Sequence, residues 1–127
     1  MPRPALVVVA AVAALVVEAC GGGDGAPKTA AERAAAGEKT YVSICAACHG
    51  RDLRGTAAGP SMLAPVFAPA THPDSAFYDA VENGVTAHGH FEKSTWGPMP
   101  ALPTVDHDDV TNVLTYVRAR QRAAGVY

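Results

Sequence analysis

Four patterned segments run along this chain, and each predicts an element. Ala5 to Val17 is an unbroken run of thirteen apolar residues. That is short of the ~20 a helix needs to span a bilayer, and it suits the apolar region of an export signal. From Thr29 to about Cys45 an Ala-rich segment opening on a Thr29-x-x-Glu32 capping box predicts a helix. Gly37 lies inside that helix at a cost of ~1 kcal/mol relative to Ala, which implies a packing reason for it. Asp74 to Glu82 predicts a second helix, with Pro73 in its first turn and Asn83-Gly84 as its stop. A third starts near Asp106, where Asp106, Asp108 and Asp109 load the first turn with acid, and it ends among Arg118, Arg120 and Arg122. Its apolar residues Val110, Val113, Leu114 and Val117 fall at helical spacing. No segment alternates as a strand and none repeats. The expected fold class is all-α: three to four helices joined by long Pro- and Gly-rich connections over 50–71 and 85–103. Connections of that length are uncommon in a compact domain unless they wrap something or act.

Arg3 ahead of the apolar run and Ala19 behind it complete an export-signal pattern over residues 1–19. Val17-Glu18-Ala19-Cys20 resembles the lipobox of bacterial lipoproteins, in which the cysteine is lipidated and becomes the first mature residue. Cysteine usage agrees, because Cys45 and Cys48 belong to a motif of their own and Cys20 is otherwise an odd thiol in an oxidising compartment. The alternative is an ordinary signal that happens to contain a cysteine. Residues 20–28, with Gly21-Gly22-Gly23-Asp24-Gly25-Ala26-Pro27, read as the lipidated cysteine and a flexible tether. Seven such residues reach ~25 Å when extended, enough to lift a domain clear of lipid headgroups. The folded domain is expected over 29–127, on the outer face of a bacterial membrane.

That leaves about a hundred residues for one domain with a modest core. Removing Arg3 and Glu18 leaves nine basic and eleven acidic residues, so no nucleic-acid partner is expected. Only the tail Arg118, Arg120 and Arg122 approaches a basic cluster.

Cys45-Ala46-Ala47-Cys48-His49 is the most specific feature. In a C-x-x-C-H, each thiol can add to one haem vinyl group and the adjoining imidazole can bind the iron, giving a haem that cannot dissociate. Two other readings use the same residues. A thioredoxin-like pair belongs near a strand-helix unit that this pattern lacks. A structural zinc site would need a fourth ligand from His72, His88, His90 or His107.

Gly37-x-x-x-Tyr41-x-x-x-Cys45-x-x-Cys48-His49-Gly50 is similar to the opening of class I c-type cytochromes. The likeness runs on through Gly59-Pro60, Asn83-Gly84, Met99-Pro100 and the last helix, from Thr29 to Ala119. It implies the small cytochrome c fold around one covalent haem c. It also implies that Gly37 permits close contact with an aromatic residue of the C-terminal helix, here Tyr116, and that the Pro60 carbonyl accepts a hydrogen bond from the proximal His49. Met99 is the implied sixth ligand, and its flanking Pro98 and Pro100 restrict the backbone that presents it. Met62, His88 and His90 remain other candidates for that position. Trp96, the single tryptophan, is expected to pack against the porphyrin or the core. The resemblance implies a single-electron carrier with redox proteins as donor and acceptor, and no catalytic residues. A haem subunit of a larger membrane oxidoreductase, or a haem enzyme or gas-binding protein with an open sixth position, are the alternatives.

Overall fold

The computed structural model describes residues 29–86 and 96–127. Helix α1 spans Ala30–Thr40 and begins on the expected capping box. Glu32 N donates to Thr29 Oγ1 at 3.1 Å and Thr29 N donates to Glu32 Oε2 at 2.8 Å. Two of the amides that a helix start leaves without partners are thereby satisfied.

The helical path does not stop near Cys45. Tyr41–Cys45 continues at the wider π pitch, marked by Ala46 N donating to Tyr41 O, and a short α2 (Ala46–His49) follows. Gly50, at φ 79, ends the run in a backbone region that favours glycine. Helix α3 spans Asp74–Asn83, with Pro73 as its N-cap, one place earlier than a first-turn position, and Gly84 at φ 74 as its stop. Helix α4 spans His107–Ala123, and Asp106 caps it by accepting from Asp109 N at 2.8 Å. Among the described residues there are no strands, only the isolated bridges Thr56↔Gly59 and Val85↔Met99.

The main packing is α1 across α4, and Gly37 is its reason. A Cβ there would stand 1.9 Å from Asn112 O and 2.7 Å from Val113 N, so the two backbones touch at that point. Tyr116 lies one turn further along α4 and meets Tyr41, ring centroids 5.5 Å apart. The glycine thus admits backbone, and the aromatic contact is made by the residue one turn after it. Tyr41, Ala46, Leu53, Met62, Phe67, Tyr116 and Val117 form the core beside this crossing, with Val113 packed against it.

The connection over 50–71 is folded throughout. Turns run from Gly50 to Leu63, and a single 3₁₀ turn spans Pro65–Phe67. Two polar residues of α4 hold it. Arg118 is 6 % exposed, and all five of its N–H groups are used: two bonds to Asp74 Oδ1, and one each to Phe67 O, His72 O and Gln121 Oε1. Gln121, 0 % exposed, donates to Met62 O at 2.7 Å and Phe67 O at 3.1 Å. Arg118 therefore belongs to the core and not to a basic surface.

Candidate functional site

Both thiols and the imidazole of Cys45-x-x-Cys48-His49 are carried on one helical run, where residues three apart are neighbours on a face. Neither cysteine is in a disulfide; Cys45 is half-buried and Cys48 exposed. Burial pushes the Cys45 thiol up to about 11, with Cys48 beside it adding to the rise. A redox-active C-x-x-C shows the reverse, a thiol lowered by its surroundings. Among the described residues, which do not include His88 and His90, no three His, Cys, Asp or Glu side chains converge. His72 instead stands edge-on to Phe67 and Phe77, with centroids 5.0 and 5.2 Å away.

His49 Nδ1 lies 3.0 Å from Pro60 O. A carbonyl oxygen only accepts, so the proton of the neutral ring sits on Nδ1 and the Nε2 lone pair is left for a metal. The turn that presents Pro60 folds tightly against the motif. Gly55 N donates to His49 O at 2.8 Å, Thr56 Oγ1 to Cys48 O at 2.7 Å, and Tyr41 Oη to Gly50 O at 2.9 Å. At Gly59 a Cβ would come 2.9 Å from Cys48 O and 3.2 Å from Cys48 Cβ, so only glycine lets the chain pass this close to the thiol-bearing residue.

Met99 is half-buried and exchanges two backbone hydrogen bonds with Val85, both 2.9 Å. Leu102 N donates to Val81 O at 2.8 Å, which ties the same segment to the end of α3. Met62 is buried in the core beside Phe67. Trp96 Nε1 donates to Thr56 O at 3.1 Å, joining the Met99 segment to the turn after the motif. His88 and His90 lie outside the described residues, as do the signal, Cys20 and the tether.

Sequence reasoning missed Arg118, Gln121 and Leu53. Gln121 had a legible signal, since it extends the apolar stripe Val110, Leu114, Val117 by one further helical step. Leu53 had none: it sits at φ 64 and is completely buried in a stretch that reads only as turn.

The donor set fits haem c. Two thiols share a helix face for thioether bonds, the next residue offers an oriented imidazole with Nε2 free, and a glycine keeps side chains out from behind Cys48. A small helical domain built around such a motif is a c-type cytochrome domain with the all-α cytochrome c fold. Residues 32–117 match the family described as cytochrome C oxidase, cbb3-type, subunit III, and the chain belongs to that family. Membership implies covalently bound haem c and an electron-transfer role. Comparison with curated proteins and with solved structures gives no match.

Proposed function

We propose that this chain is a monohaem single-electron carrier, tethered through lipidated Cys20 to the outer face of a bacterial membrane. Cys45 and Cys48 hold the haem, and His49 and Met99 are its axial ligands. The observation that carries the reading is the His49 Nδ1 to Pro60 O contact at 3.0 Å. It fixes the tautomer and the plane of the ring and raises the basicity of Nε2. Haem iron supplies the one-electron ferric/ferrous couple, and thioether ligation raises its potential relative to two nitrogen ligands. The protein's own part is to hold the ring, supply both axial donors and present a surface to a donor and an acceptor. Such encounters use small interfaces with rapid release.

An absorption spectrum of the oxidised and reduced protein, with and without carbon monoxide, tests the ligation. A closed His/Met iron takes up CO slowly, and rapid binding by the native protein refutes Met99 as ligand and favours a haem enzyme or gas-binding protein. Covalent haem should be absent from Cys45→Ala/Cys48→Ala, and its retention overturns the attachment. Mass spectrometry of the mature N-terminus tests the anchor: an unmodified Cys20, or cleavage elsewhere, removes it.

The family's description as an oxidase subunit favours a second reading, a haem subunit of a larger membrane oxidoreductase. Purification from detergent-solubilised membranes separates the two, because a stoichiometric complex argues for the subunit and a free monomer for the carrier.

A further inference from the structure

We infer that Trp96 is a positioning residue for Met99, a clasp that holds the Met99 segment against the turn hung from Cys48 and His49. The inference rests on the reading of Met99 as the sixth ligand and extends it to what keeps that ligand in place.

Met99 is held unevenly along the chain. On its C-terminal side the segment is tied repeatedly to the end of α3, through the paired Val85 bonds and Leu102 N to Val81 O. Gly84 supports that side closely, since a Cβ there would be 2.7 Å from Met99 O. On its N-terminal side, among the described residues, Gly97 has nothing within 4 Å of where a Cβ would be, and both Gly97 and Pro98 are exposed. The indole of Trp96 then reaches across to Thr56 O, a residue forty positions earlier in the chain.

Thr56 is not a casual partner. Its own hydroxyl donates to Cys48 O at 2.7 Å and its amide to Gly59 O at 3.0 Å, and the preceding Gly55 N donates to His49 O. The bond from Trp96 therefore ends on the turn that is fastened to the attachment motif and leads to Pro60. Through it, the segments bearing the two axial donors are linked by the chain Trp96, Thr56, Cys48. Pro98 stiffens the short span between the clasp and Met99, so that holding Trp96 limits the excursions of the thioether.

Breaking this bond should raise the population of the state in which Met99 has swung away, without unfolding the domain. The test compares holo wild-type protein with Trp96→Phe, which keeps an aromatic ring and loses the N–H donor. Three readouts are needed: the thioether-to-iron charge-transfer band of the ferric protein, the rate of CO binding to the ferrous protein, and the midpoint of global denaturant unfolding. The expected result is a retained band, CO binding faster by about two- to fivefold, as for loss of one modest hydrogen bond, and an unmoved unfolding midpoint. An unchanged CO rate overturns the clasp. So does a faster rate accompanied by a matching fall in the midpoint, because that is loss of general packing. A wild-type protein without the thioether band, or one that already binds CO rapidly, refutes the Met99 reading itself and is seen before any variant is made. If Trp96→Phe yields no holo-protein, Thr56→Val takes its place. It removes the hydroxyl that fastens the far end of the clasp to Cys48, the same acceleration is expected, and an unchanged CO rate there also overturns the inference.

Discussion

Leu53 offers the sharpest test of the packing argument, because two large effects oppose each other at one residue. Its backbone stands at φ 64, alone among described non-glycine residues in that region, while its side chain is 0 % exposed. The left-handed conformation costs an L-residue roughly 1–2 kcal/mol. Full burial of a leucine side chain returns roughly 1.5–3 kcal/mol, so the strained leucine is a net gain. Truncation to Ala should therefore cost about 2–5 kcal/mol, since the strain stays and a cavity is added. Truncation to Gly loses the same side chain but also relieves the strain, offset by about 0.4–1 kcal/mol of extra freedom in the unfolded chain. Leu53→Gly should then be more stable than Leu53→Ala by about 0.5–1 kcal/mol, the reverse of the usual order of these two residues. Guanidinium unfolding of the ferric holo-proteins, followed by far-UV circular dichroism, reads the difference directly. On a domain of this size it corresponds to roughly 2–8 °C in Tm. A Gly variant equal to or less stable than the Ala variant would refute the claim that the backbone at Leu53 is strained.

Other consequences follow from the same contacts. Gly37→Ala, which gains ~1 kcal/mol in an exposed helix, should here destabilise by at least about 3 kcal/mol, because the new Cβ meets the Asn112 carbonyl at 1.9 Å and neither backbone can yield; a denaturant midpoint at or above wild type refutes it. Arg118→Met should cost about 3 kcal/mol or more by removing the donor to the buried Gln121 amide oxygen and one donor each from the carbonyls of Phe67 and His72. Asp74→Asn should cost about 1 kcal/mol or less, because the Asp74 side chain is 60 % exposed and keeps an oxygen acceptor; equal losses in the two variants contradict this. Burial raises the Tyr41 hydroxyl above its ordinary 10.0, so the folded state holds that proton more tightly than the unfolded one. Its stabilising effect is complete below the unfolded pKa and declines as pH climbs above about 10. Tyr41→Phe should flatten the fall of unfolding free energy between neutral and strongly alkaline pH, and an unchanged slope there counts against it.

The parts legible in the sequence were those written in local chemistry. The Thr29 to Glu32 capping box, the acidic start of α4 near Asp106 and the glycine stop at Gly84 each depend on a few adjacent residues, and helical spacing marked α4. The Cys45-x-x-Cys48-His49 pattern was visible for the same reason, since its five residues are contiguous. What stayed hidden depends on contacts between distant segments. Arg118 reads as one of three tail arginines, and only the arrival of Phe67, His72 and Asp74 around it, between forty-four and fifty-one residues away in the chain, makes it a core residue. Gly37 announced a close approach but not its partner, because spacing cannot tell the Asn112 backbone from the Tyr116 ring one turn on.

The same division bears on how the His49 ring is controlled. The ring is anchored by a backbone carbonyl, and a carbonyl is positioned only as well as the chain around it. Pro60 is flanked by Gly59, pressed on Cys48, and by Ser61, whose hydroxyl donates to Leu53 O at 3.0 Å. One residue on, Met62 O accepts from Gln121. The acceptor that orients the His49 imidazole is therefore fixed from both sides, by the helical run that carries the motif and by the C-terminal helix. These two helices are themselves locked together at Gly37. A change at the α1–α4 crossing therefore has a continuous path of backbone and side-chain contacts to the carbonyl that holds the His49 ring. On the proposed ligation, variants there should lower stability and move reduction potential together, whereas loosening the Met99 segment should open the sixth position and shift the potential with little loss of global stability.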